Sequence, residues 1–126
     1  AQVFGAALHA MGYDYLHLTS GGNVATARIP GAEPGYQVAF AEAVKAAVPE
    51  ANVMAVGMIV TPQQAEALLV EGKADLIAVA RAVLDDPNWG HHAAVALGQP
   101  EGLPVQYERA GAAHWPGYAA ARASAD

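Results

Sequence analysis

The chain has 126 residues, of which 54% are hydrophobic and 14% charged, a composition that favours one small folded domain and argues against disorder. Its formal net charge is −6 with no basic run, which makes nucleic acid and anionic membrane surfaces poor partners. Cysteine is absent, so disulfides and thiolate metal sites are excluded, and neither a transmembrane-length apolar stretch nor a signal-peptide pattern is present.

The first part of the chain predicts a helix, a strand, a long loop and a second helix. Apolar residues at helical spacing define the helices, and a continuous apolar run defines the strand. In chain order these elements are the helix 4–11 closed by Gly12, the strand 15–18 with the polar loop 19–22, the extended loop 23–36, and the helix 40–48, whose apolar face starts at Phe40. The chain opens inside a helical pattern and without methionine, so we expect its beginning to be a cut rather than a natural terminus.

The middle of the chain predicts a strand, a capped helix and a second strand. The runs 53–56 and 76–79 are short and continuously apolar, as expected for parallel strands buried on both faces. Between them, Thr61 is expected to cap a helix that has Pro62 at its first position and Gln64 as the second half of a capping box. The apolar face and the terminator of this helix are Ala65, Leu68, Leu69 and Gly72. One helix between two strands fits a right-handed crossover.

The last part of the chain predicts one more helix and a tail. Asp86 is expected to cap this helix, with Pro87 at its first position, and Gly98 is expected to end it. The chain is irregular from Gln99, and the Ala-rich residues 111–126 are expected to form a short helix or a frayed end.

The alternation of helices and strands indicates an α/β fold with a parallel sheet. Three strands alone would leave two apolar edges unpaired, which makes a poor isolated fold. A full (βα)8 barrel has about 250 residues, roughly twice the length of this chain. The alternative is a small open α/β domain.

Two residues suggest a phosphate-binding site. Gly57 ends the first of the two central strands, and Arg81 ends the second. In a (βα)8 barrel the loops after the last two strands most often hold a phosphate-bearing ligand, so this pair predicts a flavin or another phosphorylated cofactor. The alternatives are a tightly packed glycine at position 57 and a surface salt bridge of Arg81 with Asp85 or Asp86.

Several motifs together resemble the old yellow enzyme family of NADH:flavin oxidoreductases. They are DYLHLTSGG (14–22), PGYQV (34–38), AVGMI (55–59), GKADLI (72–77) with Ala80-Arg81, and DPNW (86–89). The segment PVQYER (104–109) resembles the terminus of the YqjM-like branch of ene-reductases. The resemblance implies that residues 1–109 are the C-terminal portion of a (βα)8 TIM barrel, strands six to eight with their helices, and that residues 110–126 are an Ala-rich C-terminal tail.

The resemblance also implies a chemistry. Members of the family use NAD(P)H to reduce a noncovalent FMN, which passes hydride to the β-carbon of an activated, enone-type alkene. By resemblance, the backbone amide around Gly57 approaches the FMN phosphate and Arg81 pairs with that phosphate. The family usually has Gly-Arg where this chain has Ala80-Arg81, and alanine still offers its N–H. The terminal arginine of the branch, here Arg109, reaches into the neighbouring subunit's active site, which implies a homo-oligomer.

The family's substrate-binding pair (two His, or His and Asn) and its Tyr proton donor belong to earlier strands, so the resemblance implies no catalytic residue in this chain. We therefore expect the parent protein to be a cytoplasmic FMN-dependent oxidoreductase and this chain alone to be inactive. Two alternatives stay open: another FMN- or phosphate-binding barrel, such as a dihydroorotate dehydrogenase-like protein, and a non-catalytic half-barrel subunit.

Other polar residues are expected to have structural roles. His91 and His92 project in different directions from a helix and are expected at the surface. His17 lies inside a strand and is expected in the core. Ser20 has no nearby base and is not a credible nucleophile, so with Thr19 it is expected to line the flavin cavity or to shape the loop. No metal-binding spacing appears, so no metal site is expected.

Overall fold

The computed structural model describes residues 1–21, 24, 26, 33–99 and 102–123. Its helices and strands alternate along most of the chain. In chain order they are α1 (Gln2–Ala10), β1 (Leu16–His17), α2 (Val38–Ala47), β2 (Val53–Ala55), α3 (Pro62–Val70), β3 (Leu76–Ile77), α4 (Arg81–Asp85), α5 (Trp89–Ala96), a 3₁₀ helix (Val105–Ala110) and α6 (Tyr118–Ala123). Residues 22, 23, 25 and 27–32 of the predicted loops, and residues 124–126 of the predicted tail, lie outside the described residues.

The strands of the described residues form one parallel sheet in the order β1–β2–β3. Leu16 of β1 pairs with Val53, and Met54 pairs with Leu76 on the other side of β2. β2 is the central strand, and its residues Val53 and Ala55 are completely buried. The predicted α/β fold with a parallel sheet is therefore confirmed, although each strand is shorter than its apolar run.

The core lies between β2 and α2. α2 and the residue that follows it contribute four buried side chains to this core: Val38, Ala41, Val44 and Val48. Phe40, which we expected at the start of the buried face, is 44% exposed, so that assignment is wrong. The helix begins at Val38, and Phe40 lies about 200° from that residue around the helix axis.

The start of α3 follows the prediction with one difference. Thr61 Oγ1 accepts a hydrogen bond from the backbone N–H of Gln64 at 3.2 Å, and Pro62 occupies the first position. The Gln64 side chain does not return to Thr61, as a capping box requires. Its Oε1 accepts instead from the backbone N–H of Val60, at 3.1 Å. The bond therefore fixes the loop before the helix rather than the cap residue itself.

The rest of α3 confirms most of its predicted features. Ala65 and Leu68 are buried in the core. Leu69, which we expected on the same face, is 38% exposed, because it lies in a groove beside β3 rather than against β2. Gly72 has a φ of +67°, the left-handed conformation expected of a helix terminator.

The segment after β3 contains two helices where the sequence predicts one. α4 has five residues, too few to show an apolar period. Asp86 follows α4, and its Oδ1 accepts from the backbone N–H of Asn88 at 3.0 Å. α5 then begins at Trp89, so the prediction that Asp86 caps it with Pro87 in the first position is wrong by two residues. Gly98, with a φ of +75°, ends α5 as expected.

An ion pair joins α2 to the amino-terminal ends of β2 and β3. Lys45 Nζ lies 2.9 Å from Asp75 Oδ1 and donates to the carbonyl oxygens of Pro49 and Ala51. Asp75 Oδ2 accepts from the backbone N–H of Val53 at 2.8 Å. Burial by itself raises the pKa of Asp75, but the hydrogen bonds from Lys45 and Val53 and the charge of Lys45 outweigh it. The pKa of this carboxyl therefore lies below its ordinary value.

Part of the Ala-rich tail is helical, since it contains α6. A short helix is one of the two structures that the sequence predicts for this tail. Trp115 and Tyr118 meet edge to face, with ring centroids 6.3 Å apart. None of the described helices has the length and apolarity that crossing a membrane requires.

Candidate functional site

A cavity of about 320 Å³ lies at the carboxyl ends of β2 and β3. Its wall is formed by the β2 loop (residues 56–60) and the β3 loop (residues 78–82, which include the first two residues of α4), with Tyr36 and Gln37 from the segment before α2. The ends of neighbouring parallel strands meet at one edge of a sheet, which is why these loops share a cavity. Three residues that the sequence predicted line it: Gly57, Ala80 and Arg81.

The β2 loop has a left-handed backbone at two successive residues. Gly57 has a φ of +118°, and Met58 has a φ of +52°. Glycine adopts such angles freely, whereas a residue with a side chain is strained there by on the order of 1 kcal/mol. Strain of this kind persists only where the surrounding contacts hold it. The loop is therefore held in place by its neighbours.

Packing accounts for the glycine at position 57. A Cβ at Gly57 would lie 3.0 Å from the Cβ and 3.1 Å from the Cγ of Gln37. The carbonyl oxygen of Gly57 also accepts from the backbone N–H of Gly35 at 2.8 Å. A side chain at position 57 would thus collide with Gln37. Gly57 is therefore a tightly packed glycine, as one of the two interpretations of this residue predicts. The contact of a phosphate with the backbone amide stays a prediction.

The β2 loop offers hydrogen-bond donors. Within the described part of the chain, the backbone N–H groups of Gly57, Met58 and Ile59 donate to no acceptor. Backbone N–H groups without a protein acceptor need water or a ligand. Successive N–H groups in a turn form concavities that bind anions. The loop is therefore suited to a negatively charged group.

Arg81 is the first residue of α4 and is exposed at the cavity. It forms no ion pair with any residue of the described ranges, Asp85 and Asp86 included. The salt-bridge alternative for Arg81 is therefore not observed. Ala80, just before it, has a φ of −119°, outside the left-handed region that favours glycine.

Val60, the last residue of the β2 loop, is held through both of its backbone polar groups. Its N–H donates to Gln64 Oε1 at 3.1 Å, and its carbonyl oxygen accepts from Trp89 Nε1 at 3.1 Å. Trp89 itself packs partly buried against the core. α3 and α5 thus hold the far end of the loop.

Gln37 joins the loops after two different strands, a role that sequence reasoning missed. Its side chain is only 5% exposed. Its Oε1 accepts from the backbone N–H of Ser20 at 2.5 Å and from Thr19 Oγ1 at 3.2 Å, and its Nε2 donates to the hydroxyl of Tyr36 at 2.7 Å. These bonds support the loop-shaping role for Thr19 and Ser20. Gln37 lies in the motif PGYQV, but nothing in its spacing distinguishes it from a surface glutamine.

The histidines lie partly elsewhere than expected. His17 is exposed, so its assignment to the core is wrong: β1 is an edge strand, and the side chain points away from buried Leu16. His91 and His92 are half-buried rather than fully at the surface, with ring centroids 5.7 Å apart. His92 Nδ1 lies 2.5 Å from Asp86 Oδ2, because the turn between α4 and α5 brings them together.

Two other predicted features lie outside the cavity or are not seen. Arg109 is exposed on the 3₁₀ helix and does not line the cavity, so its place in a neighbouring subunit's site stays a prediction. The described residues contain no group of three or more His, Cys, Asp or Glu side chains arranged to hold a metal ion.

Comparison with known proteins matches residues 10–99 to the model of one family, described as the NADH:flavin oxidoreductase / NADH oxidase family. This range covers well over half of the chain and includes both loops of the cavity. The chain belongs to the NADH:flavin oxidoreductase / NADH oxidase family. The resemblance to old yellow enzyme that its motifs suggested is thereby confirmed.

Relatives of the chain in this family are named NADPH dehydrogenases. One from Bacillus licheniformis is 49% identical over 77 residues, which cover 61% of this chain and 22% of the relative. One from Halalkalibacterium halodurans is 46% identical over 101 residues, 79% of this chain and 28% of the relative. One from Listeria monocytogenes is 38% identical over 103 residues, 82% of this chain and 30% of the relative. The chain thus spans less than a third of the length of these curated relatives.

The family membership places the observed sheet in a larger architecture. The NADH:flavin oxidoreductase family implies a TIM-barrel parent, and a parallel three-stranded sheet alternating with helices is consistent with part of such a barrel. The cavity lies at the carboxyl ends of the strands, the face at which barrel enzymes bind their ligands.

Proposed function

We propose that this chain supplies the FMN-phosphate site of an FMN-dependent NAD(P)H:flavin oxidoreductase. The observation that carries the proposal is the cavity shared by the β2 and β3 loops. There, Arg81 has no ion-pair partner among the described residues, and the N–H groups of residues 57–59 have no protein acceptor among them. This donor set suits a phosphate, since guanidinium makes charge-assisted hydrogen bonds and the amides add further donors. The family match and the names of the relatives support the cofactor.

Bound FMN would supply hydride transfer from NAD(P)H to an activated, enone-type alkene. The residues of this chain would bind the cofactor and orient it. Arg81 provides the positive charge, the held β2 loop presents its amides at one place, and Ala80 offers its N–H beside them. No residue of this chain is assigned to proton donation or to holding a substrate carbonyl.

We further propose that residues 1–109 correspond to strands six to eight of the family's barrel, with residues 110–126 as a tail. Both outer strands of the sheet lack a further strand among the described residues. Large apolar side chains stand exposed beside them, including Phe4, Tyr13 and Tyr15 near β1 and Leu76 in β3. Adding neighbouring strands would bury these edges. The short coverage of the relatives supports the part of this proposal that makes the chain a portion of a barrel.

Arg109 is proposed to enter the active site of a neighbouring subunit in a homo-oligomer. It is exposed on the 3₁₀ helix and away from the cavity of its own chain, which leaves its guanidinium accessible to a second copy. Arg109→Ala would then raise the KM for the enone and leave the affinity for FMN unchanged. A cytoplasmic location likewise stays a prediction.

The phosphate site is tested by comparing FMN with riboflavin, which lacks the phosphate. In the complete polypeptide that contains these residues, we expect Arg81→Met to raise the Kd for FMN by roughly ten- to a hundred-fold, the range for losing a charged hydrogen bond. The Kd for riboflavin should stay unchanged. Lys73→Met is the matched control, since this half-buried lysine pairs with Glu71 away from the cavity. Equal weakening of both flavins by Arg81→Met would contradict the proposal.

The 126-residue chain by itself is expected to be inactive. Purified chain supplied with FMN and NADPH should not reduce cyclohexenone faster than free flavin does. Reduction above that rate would contradict the assignment of the catalytic groups to other strands. A separate chain that copurifies and restores activity would favour the half-barrel subunit instead, which the two open sheet edges also permit.

A further inference from the structure

We propose that Gln37 is a positioning residue that sets the β2 loop for phosphate binding by tying it to the β1 loop (residues 19–21). The inference rests on the proposed function, because it concerns the same cavity. Gln37 lies where the two loops meet and contacts both of them. Its action requires no contact with the ligand itself.

Gln37 supports the β2 loop through van der Waals contact. Three of its atoms, Cβ, Cγ and the backbone N, lie 3.0 to 3.2 Å from the place where a Cβ on Gly57 would stand. Gly57 therefore packs directly against Gln37. The hydrogen bond from Gly35 to the carbonyl of Gly57, at 2.8 Å, holds the two segments together. A displacement of Gln37 would move the start of the β2 loop.

On the side of the β1 loop, Gln37 works by hydrogen bonds. Its Oε1 accepts from the backbone N–H of Ser20 and from the hydroxyl of Thr19. The backbone N–H of Ser20 only donates, so the atom facing it must be the amide oxygen, and the orientation of the amide is determined. The Nε2 atom then faces the hydroxyl of Tyr36, which accepts from it.

The consequence is a preorganised set of donors. The amides of residues 57–59 follow a strained backbone that needs outside support. Val60 is held by α3 and α5 at one end, and Gln37 supports Gly57 at the other end. A loop held at both ends presents its amides without an ordering cost on binding, which strengthens recognition of the phosphate in particular.

The test measures the ratio of the Kd for riboflavin to the Kd for FMN in the complete polypeptide, by quenching of flavin fluorescence. Gln37→Met has similar volume but no polar group, and we expect it to lower this ratio about five- to ten-fold, as for a part-buried amide left without its acceptor. A purely structural role would weaken both flavins equally and leave the ratio unchanged. That result, in folded protein, would overturn the inference.

Two controls separate positioning from general destabilisation. Val44→Ala truncates a fully buried core residue outside the cavity and should lower stability without changing the ratio. Thr19→Val removes only the longer of the two bonds to Oε1 and should change the ratio less than Gln37→Met does. If Gln37→Met does not fold, Gln37→Asn serves instead, since its amide is one methylene too short to reach the same partners.

Arg81→Met in the same series distinguishes failure of this inference from failure of the proposed function. Loss of FMN preference in Arg81→Met but not in folded Gln37→Met would leave the phosphate site in place and reject Gln37 as its positioning residue. No loss of preference in Arg81→Met would reject the phosphate site itself.

Discussion

Trp89 donates its indole N–H to the carbonyl oxygen of Val60 at 3.1 Å, a contact between residues 29 positions apart. Val60 ends the β2 loop immediately before Thr61, the N-cap of α3. Because Gln64 accepts from the N–H of the same residue, both polar groups of Val60 are used. The shape of the candidate site therefore depends on α5, a helix that does not line the cavity.

Trp89→Phe tests this dependence. The substitution keeps an aromatic ring but removes the N–H donor, so we expect the free energy of unfolding to fall by about 1 kcal/mol, the usual value of a neutral hydrogen bond. Urea denaturation measures the change. Trp115→Phe is the control, because Trp115 is 44% exposed and contacts Tyr118 instead. Equal losses of unfolding free energy in the two variants would show that the hydrogen bond to Val60 does not contribute to stability.

Gly57→Ala is expected to be more destabilising than Gly72→Ala, a substitution at another left-handed glycine. Its Cβ would stand 3.0 Å from Gln37 at a φ of +118°. We expect the free energy of unfolding to fall by about 3 kcal/mol from strain and crowding together. Gly72→Ala isolates the backbone contribution, since Gly72 has a φ of +67° and no neighbour within 4 Å of the added Cβ. It should cost only about 1 kcal/mol, and equal costs would contradict the close packing.

The pH dependence of stability should report the ion pair of Asp75. A folded pKa below the unfolded value of about 3.9 means that the contribution is fully present above that pH and is lost as the pH falls through the folded pKa. Asp75→Asn should therefore lower stability at neutral pH by about 1 kcal/mol, a modest figure because the pair is partly exposed. Below about pH 4 the gap between variant and parent should narrow. Urea denaturation across this range measures both effects.

The same experiment has a built-in comparison. Glu71 forms an exposed pair with Lys73, so Glu71→Gln should change stability little at any pH. A gap between Asp75→Asn and the parent that stays constant down to acidic pH would show that the charge of Asp75 is not involved.

Ala80→Gly restores the dipeptide that the family usually has before the helix. Because Ala80 has a negative φ, glycine offers no conformational advantage there. We expect the affinity for FMN to change by less than about two-fold and the stability to fall by about 0.5 to 1 kcal/mol, through the greater freedom of glycine in the unfolded chain. A ten-fold gain in FMN affinity would show instead that alanine impairs the site.

Short-range sequence patterns predict most of the helices and strands that surround the candidate site. Thr61, Pro62 and Gly72 delimit α3 through interactions within a few residues, and these interactions have well-known sequence preferences. The apolar runs of β2 and β3 predicted a parallel sheet, and therefore that Gly57 and Arg81 would lie side by side. The motifs of the chain likewise indicate its family.

The wrong predictions have two physical causes. α4 has too few residues to show an apolar period, so the sequence predicts a helix that begins at Pro87, whereas α5 begins at Trp89. Phe40 is a large apolar residue and His17 lies inside an apolar run, but the side of the element that faces the core depends on what packs there. Burial is a property of the assembled chain, and sequence spacing predicts it only indirectly.

The sequence is sufficient to predict the alternating α/β order, the family, and the meeting of Gly57, Ala80 and Arg81 at one edge of the sheet, since these follow from short-range patterns and from strand direction. The contacts that hold the β2 loop are visible only in the folded chain. Gln37 and Trp89 act on it through contacts 20 and 29 positions distant along the chain. Contacts of that kind are specified by the packing of whole elements, so no local pattern in the sequence announces them.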